Sequence, residues 1–304
     1  ARVRGARRGV ARRAREKEGD EEPRLLRGGM PTAELTEPDA RVALAGTMAG
    51  HEAMKDLVRG YRNFELRKND TDGGLGVALK DLAERGQRPS TLVVACCDSR
   101  ADPAIVFATS PGEVFVVRNV ANLVPPFSGV DGAHHGTCAA IEYAVVHLKV
   151  KLILVMGHTQ CGGAAAALRK YGNGANSDPK VFGANEATGE GFIGSWVSLA
   201  ERSVCEVCDK YDPDIRGRML EFQLVRQSVS NLATFPFVRS RIESGDLDIR
   251  GSVFNVFDGT LRILQPDGSF APPSESEYGS ADDLANKSED SKIDVRDAKR
   301  VRED

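Results

Sequence analysis

The sequence predicts an α/β protein with a mostly parallel central sheet, flanking helices and an antiparallel edge strand. Three features predict it. Apolar, β-rich runs at 92–95, 114–118 and 152–156 are separated by stretches with helical spacing, the alternation that builds parallel sheets through crossover helices. Leu152 to Met156 is apolar at every position, as a strand buried on both faces requires. Asp258-Gly259 then separates two further apolar runs, Val253–Phe257 and Leu261–Leu264, which is a strong hairpin signal.

In chain order, Met48–Phe64 places Met54, Leu57, Val58, Tyr61 and Phe64 at near-helical spacing and predicts an amphipathic helix. Asp72 to Gly76 faintly resembles a phosphate loop, but it follows no strand and lacks the Lys-Ser/Thr ending, so it is a linker. A short helix is expected at Val77–Arg85, then strands at Leu92–Ala95 and Val114–Arg118, a helix at Thr137–Leu148 and a strand at Leu152–Met156. The small residues Ala164 to Leu168 favour helix, and Tyr171–Gly191, rich in Gly, Asn, Asp and Glu, reads as an exposed loop. Helices are expected at Phe192–Cys208 and Met219–Thr234, and Asp248 to Gly251 leads into the final hairpin. Residues 1–35 are expected to be a disordered extension, 36–270 the folded domain and 271–304 a disordered charged tail poor in large apolar residues.

The chain has 304 residues and a formal net charge of −3, which argues against nucleic acid as the principal partner. No apolar run approaches the ~18–20 residues needed to span a bilayer. Six cysteines spread along a long acidic chain read as reduced thiols and metal ligands, which suits the cytoplasm. Cys138, Cys205 and Cys208 are expected to be packing residues. Ala1–Gly29 has no apolar segment and so is not a secretory signal, and its acidic residues 16, 18 and 20–22 do not suit an organellar transit peptide. Met30-Pro31 is read as the natural start.

The chemistry concentrates where two strands end. The run from Lys151 stops at Gly157 and delivers His158 and Cys161, three apart, into a Gly-rich turn. Imidazole nitrogen and thiolate sulfur are the donors Zn²⁺ prefers. The run from Thr91 ends in Cys96-Cys97-Asp98-Ser99-Arg100. Alternation along a strand puts Cys96 and Asp98 on one face and Cys97 on the other. Cys96, His158 and Cys161 therefore make a three-ligand zinc site with a fourth position for water or for Asp98, placed at strand C-termini where α/β sheets build their sites. Arg100 can clamp the Asp98 carboxylate bidentately and keep it off the metal; released, Asp98 becomes a possible fourth ligand.

Cys96-x-Asp98-x-Arg100, Pro111 to Asn119, Ile141 to Val145 and Gly157 to Gly163, in this order and spacing, resemble the β-class carbonic anhydrases, in particular their plant-like branch. The likeness runs from about Leu57 to Leu264. It implies reversible hydration of CO₂ to bicarbonate and a proton by a zinc-bound hydroxide, with Asp98 and Arg100 controlling the bound water. It also places Gln87, Phe115 and Tyr143 as pocket-lining residues, beside Val120 for an apolar wall and the Gly162 N–H for a bicarbonate oxygen. The family buries its pocket at a dimer interface, so a homodimer or higher homo-oligomer is expected, with the helix Met48–Phe64 packing on a partner. Proton export needs an acceptor, for which His134 and His135 are the candidates. Some bacterial relatives bind bicarbonate at a non-catalytic pocket with a Trp and a Tyr; here Val93 and Phe254 stand at those places, so only Arg118 of that set remains and no such regulation is expected. Two alternatives stay open: hydrolysis of CS₂ or COS on the same scaffold, and a non-catalytic zinc-organised binding protein.

Overall fold

The computed structural model describes residues 47–68, 75–129, 135–172 and 191–279. The chain divides into two compact units, Ala1–Leu66 and Arg67–Asp304. The described part of the first is nearly all of helix α1, Met48–Lys68, four residues longer than the apolar spacing predicts. Its basic last turn, Arg67 and Lys68, faces the negative end of the helix dipole, and none of its residues is buried.

The second unit opens with α2 (Leu75–Arg85), β1 (Thr91–Cys96), the four-residue α3 (Pro103–Val106) and β2 (Val114–Asn119). α4 (Gly136–Glu142) follows and widens into a π-helical turn at Tyr143–His147, so the expected helix 137–148 is present in two geometries. Next come β3 (Leu152–His158), α5 (Gly162–Tyr171), α6 (Phe192–Trp196), α7 (Glu201–Lys210) and α8 (Pro213–Leu232). The expected single helix 192–208 is interrupted by a 3₁₀ turn at Val197–Ala200, where the Ser198 hydroxyl donates to the Ser195 carbonyl and competes with the helical ladder. α8 starts six residues earlier than Met219 because Pro213 fits the first helical position. α9 (Pro236–Glu243), β4 (Asp248–Phe254), β5 (Leu261–Leu264), β6 (Phe270–Ala271) and α10 (Glu275–Tyr278) complete the described chain.

The six strands form one sheet in the order β2-β1-β3-β4-β5-β6. The first four are parallel, and β5 and β6 are antiparallel, as the hairpin signal predicts. β4 is placed earlier than 253–257: it pairs with β3 from Leu152↔Asp248 to His158↔Phe254, and both strands end together. Asn255 then leaves the ladder, its side chain accepting from Thr159 Oγ1 at 3.0 Å and from Phe257 N at 3.1 Å. The turn that follows is wider than two residues, with Gly259 at φ +75°. Regular structure at β6 and α10 also extends past the expected boundary at 270. The linker residues 71–74, the loop residues 173–190, His134, the N-terminal extension and residues 280–304 lie outside the described residues.

Leu92 and Val94 face one core with Ile141, Ile153 and Val155, while Val93 and Ala95 face another with Ala101 and Met156. That is the two-sided burial a parallel sheet needs. α8 packs on β3 and β4 so closely that a Cβ at Gly157 would lie 2.6 Å from Val225 Cγ2. No helix among the described residues is long and apolar enough to cross a membrane.

Candidate metal centre

Cys96 closes β1, His158 closes β3, and Cys161 is the N-cap of α5. All three are buried, and their ligand atoms lie within 4.8 Å of one another. The sulfurs are 3.9 Å apart. Two sulfurs each ~2.3 Å from a tetrahedral Zn²⁺ would be about 3.8 Å apart, so the pair fits without rearrangement. His158 Nδ1 sits 2.9 Å from the Thr159 carbonyl, which can only accept; Nδ1 therefore carries the proton and Nε2 the lone pair. Nε2 is buried with no hydrogen-bond partner among the described residues, as a metal-facing nitrogen should be. Between themselves the two sulfurs hold one proton. The hydrogen bond from Cys161 holds the Cys96 thiol well below its usual value, and the same contact pushes Cys161 up. A divalent cation lets both ionise. The donor set, the sulfur spacing and the orphaned nitrogen together fit Zn²⁺.

Asp98 is drawn away from this centre. Arg100 donates through Nε to Asp98 Oδ1 at 2.9 Å and through Nη2 to Oδ2 at 2.7 Å, and its backbone N–H reaches Oδ1 at 3.0 Å. These bonds, led by the guanidinium, hold the carboxyl far below the usual carboxylate range. Asp98 Oδ2 stays 3.9 Å from His158 Nε2. Cys97, as alternation predicts, points elsewhere and is exposed.

The walls are built from strained turns. Ala121 and Asn122 have φ of +65° and +48°, and Gln160 has +57°, left-handed values that side chains with a Cβ rarely adopt. Ala121 uses its position to donate its N–H to Cys96 Sγ at 3.4 Å. A Cβ at Gly163 would come within 2.6 Å of Val120 Cγ1, so only Gly lets α5 begin this close to the turn. Gln160, Cys161, Gly162, Arg169, Arg216 and Glu221 help line an adjoining cleft of about 430 Å³.

Of the predicted pocket residues, Val120 packs in the cluster that holds Cys96 and Cys161, and Gly162 opens α5 beside them. Phe115 and Tyr143 do not join that cluster. Their rings meet at 5.9 Å, and Phe115 packs against the other core with Ile141 and Leu92. Tyr143 is 47% exposed, and Gln87 is exposed between α2 and β1. Within one chain these three therefore do not complete a pocket around the cysteines. His135 is exposed at the start of α4. The six cysteines are all free, and Cys205 and Cys208 belong to no cluster of three or more potential metal ligands among the described residues.

Sequence reasoning missed Glu221. It is buried on α8, accepts the Cys161 N–H at 3.0 Å, and is pushed up in pKa by burial. A signal was available: position 221 shares helical spacing with Val225, Ser228 and Leu232, so an acidic residue stands where the core face runs.

Each of the three Arg118 nitrogens already donates a hydrogen bond within the chain. It donates to the Cys96 and Asp98 carbonyls at 2.8 and 2.6 Å and to Asp102 Oδ2 at 2.5 Å. Val93 and Phe254 form apolar packing nearby with Ala95 and Met156. Bicarbonate should accordingly inhibit hyperbolically, as product only. Sigmoidal inhibition, or a crystal with the anion on Arg118 and Asp98 turned toward His158, would refute this.

Residues 91–261 match the family model described as carbonic anhydrase. Beta carbonic anhydrase 3 of Arabidopsis thaliana is 30% identical over 224 residues, covering 73% of this chain and 80% of that protein. The solved β-carbonic anhydrase CcaA has a TM-score of 0.63 at 25% identity, covering 73% of this chain and 93% of its own. Tetrameric β-carbonic anhydrases from the ascomycete Sordaria macrospora give 0.53 at 28% identity, with 73% and 98% covered. A parallel sheet that delivers two cysteines and a histidine to one point, a carboxylate held off by arginine, and these likenesses agree: the chain belongs to the β-class carbonic anhydrases.

Proposed function

We propose that this chain catalyses the zinc-dependent, reversible hydration of CO₂ to bicarbonate and a proton, with Cys96, His158 and Cys161 as the metal ligands. The observation that carries this is the convergence of their three donor atoms within 4.8 Å while Arg100 occupies both oxygens of the neighbouring Asp98. When bound there, Zn²⁺ supplies a nucleophile from water near neutral pH and a Lewis acid for the developing charge. Asp98, ionised and fixed by Arg100, would accept a hydrogen bond from a donor beside it and orient that donor. Val120 gives CO₂ an apolar wall, and the N-terminal N–H of Gly162 offers a donor to a product oxygen. Arg169 and Arg216 in the adjoining cleft favour an anionic product over a neutral substrate. His135 is the proton acceptor we favour among the described histidines. Free thiols throughout suit a cytoplasmic setting.

Gln87, Phe115 and Tyr143 serve a neighbouring subunit's site in this reading. Their separation from the cysteine cluster and the exposed Tyr143 support it, as do the exposed Met54, Leu57 and Tyr61 of α1. The tetramers of the Sordaria relatives offer a precedent. Sedimentation velocity should give a dimer or larger; a fully active monomer would contradict the assembly.

The direct test combines metal analysis with a CO₂-hydration assay on purified full-length protein. One zinc per chain, with activity lost to a chelator and restored by Zn²⁺, is the expected result. Zinc-loaded protein without hydration activity would overturn the assignment.

A further inference from the structure

The peptide unit joining Gln160 to Cys161 is gripped at both of its polar ends. On the carbonyl end, Arg100 Nη2 donates to Gln160 O at 3.1 Å while the same guanidinium holds Asp98. On the other end, Cys161 N donates to Glu221 Oε1 at 3.0 Å. A trans peptide points its C=O and N–H in opposite directions, so Arg100 and Glu221 hold one rigid plane from opposite sides. That plane needs holding, because Gln160 sits at φ +57°, a conformation a non-glycine residue leaves unless its surroundings fix it.

Glu221 is costly where it stands. It is 8% exposed on α8, beside Leu220, Leu224 and Val225. A leucine would pack there without the penalty of burying a carboxyl. Its oxygens are not within ligand range of the Cys96, His158 and Cys161 group. What it gains is the backbone N–H of Cys161, a metal ligand.

We infer that Glu221 is a positioning residue: it fixes the Gln160–Cys161 peptide, and through that peptide both the Cys161 sulfur and the Arg100 arm of the Asp98 clamp. This rests on the zinc assignment above. It makes α8 a third support of the centre, alongside the ends of β1 and β3.

The test measures zinc dissociation constants by chelator competition on full-length wild type, Glu221→Leu, Glu221→Gln, Arg100→Ala, and each Glu221 variant combined with Arg100→Ala. Circular dichroism confirms folding. Glu221→Leu should weaken zinc binding about 10–100-fold, the usual range for a support of a metal ligand. Glu221→Gln keeps an acceptor for the Cys161 N–H and should lose less. Either loss should shrink when Arg100 is already Ala, because the peptide is then free at its other end. Unchanged affinity in Glu221→Leu, a Gln variant as damaged as the Leu variant, or equal losses in both Arg100 backgrounds would overturn the inference. Should Glu221→Leu fail to fold, the Gln pair alone decides by the same comparison. A wild type that binds no zinc would instead overturn the metal assignment, which the wild-type measurement reads separately.

Discussion

Replacing Cys96, His158 or Cys161 by Ala is expected to remove zinc and to lower kcat/KM for CO₂ hydration by about a thousandfold or more. The size follows from the several kcal/mol that a metal Lewis acid contributes to transition-state charge, at roughly tenfold per 1.4 kcal/mol. Thermal stability should fall as well, since metal binding is coupled to the fold that assembles the ligands. Each loss also leaves a void, because all three side chains are buried. Cys97→Ala is the control: it is exposed just past the end of β1, outside the ligand cluster, and should keep both zinc and activity. Metal content by elemental analysis, beside stopped-flow hydration rates, separates the four variants. Retained zinc in Cys96→Ala together with its loss in Cys97→Ala would show that the wrong face of β1 carries the ligand.

Much of this centre was legible because it sits where regular structure stops. Period-two alternation separates Cys96 from Cys97, and the cores on either side of β1 follow the same rule. The β3 apolar run fixes where His158 emerges. Alternation alone does not bring His158 to Cys96, however. The register Ala95↔Met156 makes position 157, not 158, the same-face neighbour of Cys96. The two side chains meet because both strands end there, Cys96 closing β1 and His158 closing β3, which no pattern of hydrophobicity encodes. Glu221 was hidden for a related reason: its partner is a backbone N–H sixty residues earlier, and backbone donors leave no mark in a sequence. The break in the helix at 197–200 and the wide turn after Phe254 were likewise set by side-chain bonds, Ser198 and Asn255, that compete locally with the ladders. Phe115 and Tyr143 were named by likeness alone; their own packing places them in an aromatic pair on another core.

Asp98→Asn and Arg100→Ala should each retain zinc yet lose about 10²-fold in CO₂ hydration, the cost usual for removing an outer support of a metal site. The two fail differently. Asn keeps the shape of Asp98 but loses the charge that Arg100 grips through two bonds and the acceptor capacity that orients a proton. Ala at 100 leaves the Asp98 carboxylate intact but unheld, 3.9 Å from His158 Nε2 and free to turn onto the metal. Arg100→Ala should therefore show a closed, carboxylate-ligated zinc in a crystal structure, and Asp98→Asn an open one. The pH dependence distinguishes the clamp from the titrating group that sets the rate. Asp98 has its carboxyl depressed first by the Arg100 hydrogen bonds, so it is ionised throughout the working range. Its stabilising contribution is present above the unfolded carboxylate value of ~3.9 and is lost only as pH falls through the depressed folded value. Activity should rise from mildly acidic to alkaline pH in wild type, and the residual activity of Asp98→Asn should rise over the same interval. A residual rate in Asp98→Asn that no longer depends on pH would make Asp98 the titrating group, and near-wild-type turnover in either variant would reduce the pair to a structural ion pair.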